Sequence, residues 1–134
     1  KLDKFIERRK TIVQQYNNAF ASLKEIVTPY QHSNGESSWH LYVVQLNSEL
    51  LSIDRKEFFI KLRQANIGVN VHYIPVHLQP FYKNQFGYKE GDFPIAENLY
   101  NRIITLPLFP TMTNKDVQHV ISTVKSLIYE HRIK

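Results

Sequence analysis

A strand pattern that runs into two prolines sets the tightest limit on how this chain can fold. From Gly68 onward, Val69, Val71 and Tyr73 alternate with Asn70, His72 and Ile74, which is the two-residue period of a strand with one packed face. Pro75 and Pro80 then each remove a backbone donor, so regular pairing has to fail after Ile74 and the run belongs at a sheet edge or a strand end. The stretch carries His72, Tyr73, His77, Gln79 and Tyr82 close together. A segment that only filled a core would not need so many polar-tipped groups, so the run reads as a binding surface. Tyr73 has the opposite strand parity to His72, which makes Tyr73 the expected core residue of the two.

On either side, helical and strand patterns alternate. Leu2, Phe5, Ile6, Val13, Tyr16, Phe20 and Leu23 recur at helical spacing and predict a first helix with one buried stripe. An extended segment around Ile26 to Tyr30 and a strand from Trp39 to Leu46 flank a polar turn at Asn34-Gly35, which makes a hairpin. Asp54 and Glu57 have capping-box spacing before Phe58, Phe59 and Leu62, and that helix should end near Asn66, which tolerates a left-handed backbone. Lys83 to Gly91 reads as loop, and Asp92 and Pro94 as the cap and opening turn of a short helix through Arg102. Ile103 to Leu108 supplies another strand, and Thr113 with Asp116 caps a last helix striped by Val117, Val120, Ile121, Val124, Leu127 and Ile128. The expected architecture is α+β, a small and mostly antiparallel sheet with helices packed on one face, in a single domain over residues 1–134.

Composition excludes more than it assigns. A chain of 134 residues without cysteine has no disulfide scaffold and no thiolate metal site, and suits a reducing, cytoplasmic setting. No apolar run reaches the ~20 residues needed to cross a bilayer. His40, His72 and His77 lack the convergent, cysteine- or carboxylate-supported spacing of a zinc site, so no metal is expected. The net charge of +5 is spread over the first helix, the middle helix (Arg55, Lys56, Lys61, Arg63) and the tail, a pattern of solvated faces that argues against nucleic acid as a partner. Lys1-Leu2-Asp3-Lys4 opens directly in a helical pattern, as expected of a piece cut from a larger protein at a domain junction.

The motifs also carry a family resemblance. Ala65-Asn66-Ile67-Gly68, then His72-Tyr73-Ile74-Pro75-Val76-His77-Leu78-Gln79-Pro80-Phe81-Tyr82, then Phe93-Pro94-Ile95-Ala96-Glu97-Asn98, then Leu106-Pro107-Leu108-Phe109-Pro110 to Thr113, together with Trp39-His40-Leu41-Tyr42, resemble in order the C-terminal domain of the DegT-type sugar aminotransferases. Within that family the nearest likeness is to the members that aminate a UDP-linked 4-keto sugar in bacterial pseudaminic acid synthesis.

The resemblance implies a parent enzyme that uses pyridoxal phosphate to move an amino group from glutamate to a nucleotide-linked 4-keto sugar. It implies a homodimer, with the cofactor held by a large preceding domain. No lysine here sits in the family's serine-rich setting and no glycine-rich phosphate loop is present, so this chain alone should be inert and should not retain cofactor. By the same resemblance His72 faces the sugar, against the plainer reading of a half-buried sheet histidine bonded to backbone. Tyr73 could still reach the cleft rim with its hydroxyl. His77 either lines the substrate entrance or pins the loop, with Gln79 and Tyr82 near the same mouth. Two other classes remain: a free-standing basic module for nucleotide or RNA, and a structural docking domain with a bare apolar face.

Overall fold

The computed structural model describes residues 1–133. In chain order the elements are α1 (Leu2–Phe20), β1 (Ile26–Val27), β2 (Tyr42–Leu46), α2 (Arg55–Gln64), α3 (Pro80–Phe86), α4 (Pro94–Tyr100), β3 (Ile103–Leu106) and α5 (Asn114–His131), with 3₁₀ turns at Ser48–Leu50 and Val76–Leu78. β2 lies between β1 and β3 and is antiparallel to both, with Ile26 opposite Leu46 and Val44 opposite Ile104. Strand alternation puts Tyr42, Val44 and Leu46 on one face with Ile104 and Leu106. The core is built there, against Ile12, Tyr16 and Phe20 of α1, Phe58 and Leu62 of α2, and Val117, Val124 and Ile128 of α5. This is the α+β layering that the sequence periods imply.

Local chemistry sets the helix ends. The Asp54 carboxylate accepts from the Glu57 N–H at 2.7 Å and starts α2. Thr113 and Asp116 form a reciprocal capping box at α5. α2 stops in a left-handed turn at Asn66 (φ 61°), where the Ile67 N–H bonds the Leu62 carbonyl and the Asn66 N–H bonds that of Arg63.

Several expectations give way. β2 begins at Tyr42 rather than Trp39, because Trp39 takes a positive φ of 51° that no strand continues. The stretch 83–91 is not all loop: α3 runs from Pro80 to Phe86. Pro80 opens it, its missing N–H being one a first turn leaves free, and Gly87 closes it at φ 72°. Asp92 does not cap α4; its carboxylate bonds the Lys89 N–H, and Phe93 holds the cap position. In α1 the stripe is buried at Ile12, Val13, Tyr16 and Phe20, while Leu2 and Phe5 are exposed.

The run from Gly68 is not a strand. A single bridge joins Asn70 to Thr105 at the free edge of β3, with N–H···O distances of 3.2 and 2.8 Å. Past it the alternation lapses, and Tyr73, expected in the core, is 71% exposed. Parity predicts burial only while a strand stays on the sheet, and this one leaves it after one rung. Among the described residues from Asn70 to Arg102, His77 alone is buried. Apolar side chains along the same stretch, among them Ile74, Phe81, Phe86 and Ile95, are exposed.

Candidate functional site

The bridge to β3 determines what His72 can do. Thr105 belongs to the β3 face that points away from the main core, yet it is buried. Its hydroxyl lies 2.9 Å from His72 Nδ1. Asn70 Oδ1 takes the Val71 N–H at 2.8 Å, so the amide nitrogen of Asn70 is the atom 3.2 Å from His72 Nε2. An amide nitrogen only donates, so Nε2 accepts and Nδ1 carries the proton that bonds Thr105. Both ring nitrogens are thus engaged inside the chain. What the half-buried ring presents outward is its face and carbon edge, with the Tyr73 ring against it at 4.7 Å.

His77 is fixed from a different direction. Its Nε2 lies 2.8 Å from Glu97 Oε1 on α4. Glu97 also collects the Gly91 N–H at 2.8 Å and the Phe93 N–H at 3.1 Å. Its carboxyl is held below the ordinary range, chiefly by the Gly91 N–H, with burial opposing and His77 and the Phe93 N–H reinforcing. One carboxylate therefore ties the 3₁₀ turn, the Gly91 turn and the start of α4 together. A carboxylate only accepts, so His77 donates from Nε2, and Nδ1 bonds no described residue. Glu97 and Thr105 were not singled out from sequence. The signals present were the position of Glu97 four residues after Phe93 and the parity of Thr105 with Ile103 and Val43.

Around His77 stands a bank of rings. Phe93 packs on the imidazole at 4.7 Å and meets Tyr88 at 5.5 Å and 76°. Tyr88 continues to Phe86 at 6.0 Å, and Phe86 stacks on Tyr82 at 6.0 Å and 26°. A concavity of about 400 Å³ opens between Pro75, His77, Tyr82, Tyr88, Phe93 and Ala96. Gln79 caps α3 through its backbone and leaves its side chain free of any cap bond. Of the residues predicted from sequence, the structure brings His77 and Tyr82 to one concavity, places His72 and Tyr73 together at the sheet edge, and sets Gln79 between them in sequence.

Several other charged side chains are engaged within the fold. Arg8 bonds the Met112 carbonyl at 2.6 Å, Lys10 pairs with Glu7 and Glu36, and Arg55 lies over the Tyr100 ring at 5.1 Å. Arg132 grips both oxygens of the buried Glu25 at 2.5 and 3.0 Å. Among the described residues no lysine is buried, and no cluster of three or more His, Cys, Asp or Glu residues is placed to hold a metal. No described helix is long and apolar enough to cross a membrane. The described lysines offer pyridoxal phosphate no enclosed amine.

Residues 1–125 match the family described as DegT/DnrJ/EryC1/StrS aminotransferases. The chain belongs to this family. It is 43% identical over 129 residues to the spore coat polysaccharide biosynthesis protein SpsC of Bacillus subtilis, covering 96% of this chain and 33% of SpsC. Spr1654 of Streptococcus pneumoniae in its PLP form superposes with a TM-score of 0.84 at 32% identity, over 94% of this chain and 32% of that one. PseC of Helicobacter pylori, an aminotransferase of pseudaminic acid biosynthesis, superposes at 0.83 and 21% identity over 94% of this chain and 33% of its own, a likeness that shows the shared fold alone. The chain thus spans about a third of the length of the relatives it matches. Within the aminotransferase family it provides a part that carries the His72 edge and the His77 concavity.

Proposed function

We propose that this chain is the C-terminal part of a pyridoxal-phosphate aminotransferase that moves an amino group from glutamate to a nucleotide-linked 4-keto sugar in bacterial cell-surface sugar synthesis. The family match over residues 1–125 is the observation that carries this reading. The part that SpsC takes in spore coat polysaccharide biosynthesis supports the cell-surface setting. The motif run His72 to Tyr82 supports the keto-sugar substrate, with UDP-linked sugars of the pseudaminic acid type as its finer form. The cofactor supplies the electron sink for amino transfer and is held by the rest of the parent, which works in the cytoplasm as a homodimer.

In this reading the chain forms one wall of the substrate cleft. The locked His72 ring and Tyr73 face the sugar, and His77, Gln79 and Tyr82 stand at the mouth. Holding a substrate in a reactive orientation can lower a barrier by several kcal/mol, so a wall that makes no bonds still influences rate. The exposed apolar shelf along 74–99 suits cover by the remaining two-thirds of such a protein. The test is the full-length protein with pyridoxal phosphate, glutamate and a UDP-linked 4-keto sugar, followed by mass spectrometry for the amino sugar. Conversion supports the reading. Failure to aminate any nucleotide-linked keto sugar, with the protein folded and cofactor-loaded, overturns it.

A further inference from the structure

Thr105 sits where its position cannot drift. It lies opposite Val43 of β2, and on its other side it exchanges N–H···O bonds of 2.8 and 3.2 Å with Asn70. Its side chain is branched at Cβ and buried, which restricts the directions its hydroxyl can take. That hydroxyl lies 2.9 Å from His72 Nδ1, and the amide nitrogen of Asn70 lies 3.2 Å from Nε2. His72 itself stands beyond the last backbone rung, at Asn70. Its ring is therefore tied to the sheet by side-chain bonds, and the firmer of the two comes from Thr105.

The consequence is chemical. A ring with both nitrogens bonded inside the chain has no proton to give and no lone pair to take one. What it presents outward is a carbon face, with the exposed Tyr73 ring 4.7 Å away at 72°. Two ring surfaces meeting at that angle match the C–H face of a pyranose, whereas a hydroxyl set there would lose its water partner and gain none. We propose that Thr105 is a positioning residue for substrate recognition, holding His72 so that its carbon face and not a nitrogen meets the sugar. The inference rests on the keto-sugar substrate proposed above. It makes His72 a fixed wall, leaves the proton transfers of amination to other groups, and lets a buried threonine that the substrate does not touch influence the rate.

The test is steady-state kinetics of the full-length protein with glutamate and a UDP-linked 4-keto sugar, read as the ratio of the two kcat/KM values. A loss of folded enzyme lowers both alike and leaves the ratio unchanged, so the ratio reports the sugar contact. Thr105→Val should lower the sugar-to-glutamate ratio about tenfold, the upper end of what one hydrogen bond contributes. Thr105→Ser keeps the hydroxyl and should restore the ratio to within about twofold. Because Thr105 acts through the imidazole, Thr105→Val should cost nothing further in a His72→Phe background. Asn70 is exposed, so Asn70→Ala stays informative if Thr105→Val does not fold; it frees Nε2 and should lower the ratio about threefold. Equal losses for both substrates, no rescue by Thr105→Ser, or a further loss from Thr105→Val without His72 would overturn the proposal. Calorimetric titration of the same variants with the UDP-linked 4-keto sugar separates this role from the activity. Amination with a ratio indifferent to Thr105 would sink the positioning role alone, whereas Thr105-dependent sugar binding without amination would sink the activity alone.

Discussion

The lock on His72 can be measured as a coupling energy. Thr105→Val removes the only partner of His72 Nδ1 among the described residues, a hydroxyl 2.9 Å away on a residue that is 6% exposed. Water cannot easily replace it from the Thr105 side, so the imidazole N–H is left unsatisfied and the cost should lie at the upper end of the usual hydrogen-bond range, about 1.5 kcal/mol. His72→Phe alone leaves the Thr105 hydroxyl unpaired and should cost about 1 kcal/mol. The double variant removes both partners, which is nearly neutral for a bond between two uncharged groups. The cycle should therefore return a coupling of at least about 1 kcal/mol. Urea unfolding of the chain, followed by circular dichroism, reads this directly. With a slope of about 1.5 kcal/mol/M, Thr105→Val should lower the midpoint by about 1 M and the double variant should recover most of it. Imidazole ¹⁵N spectra should show the proton on Nδ1. Strictly additive single variants, or a proton on Nε2, would refute the argument that Asn70 and Thr105 fix this ring.

Three further outcomes follow from the packing and the charges. Phe58→Ala empties a fully buried site against the sheet and should cost about 3–5 kcal/mol in the same unfolding assay. Asn66 sits at φ 61°, so Asn66→Gly should match or exceed the wild type, whereas Asn66→Val should lose about 1–2 kcal/mol. Arg132→Ala should destabilise more at pH 7 than at pH 4. Burial alone would raise the Glu25 carboxyl, but the Arg132 bond, the backbone and Lys24 bring it below the ordinary range, so the pair's contribution is present above the unfolded value and fades as pH falls through the folded one. Without Arg132 the Glu25 carboxyl loses the contact that lowers it most, so the stability gained as pH rises shrinks. A difference from wild type that is flat between pH 4 and 7 would contradict this.

Much of the fold was legible because the signals are local. Asp54, Thr113 and Asp116 cap helices through N–H groups three residues away, and Asn66 ends α2 through its own backbone preference. The core stripes of α1 and α5 follow from period alone, though the ends of α1 do not: Leu2 and Phe5 fit the stripe, but no described residue covers them. α3 was missed because its signal, proline at the first position and glycine after the last, resembles that of a loop between two breakers. The candidate site was half legible. The residues of 68–82 were identified, and their partners were not.

The sequence by itself determined the long helices and the strands at the centre of the sheet, which of their faces are apolar, and to which family the chain belongs. All three are properties of spacing along one segment or of motifs in order. Only the tertiary structure decided what each functional side chain does. His72 is locked by a threonine 33 residues away and His77 by a glutamate 20 residues away. Once the chain leaves the sheet after the Asn70 bridge, strand parity no longer sets side-chain direction. From there the direction of His77 depends on which distant group offers a bond, and period and propensity do not carry that information.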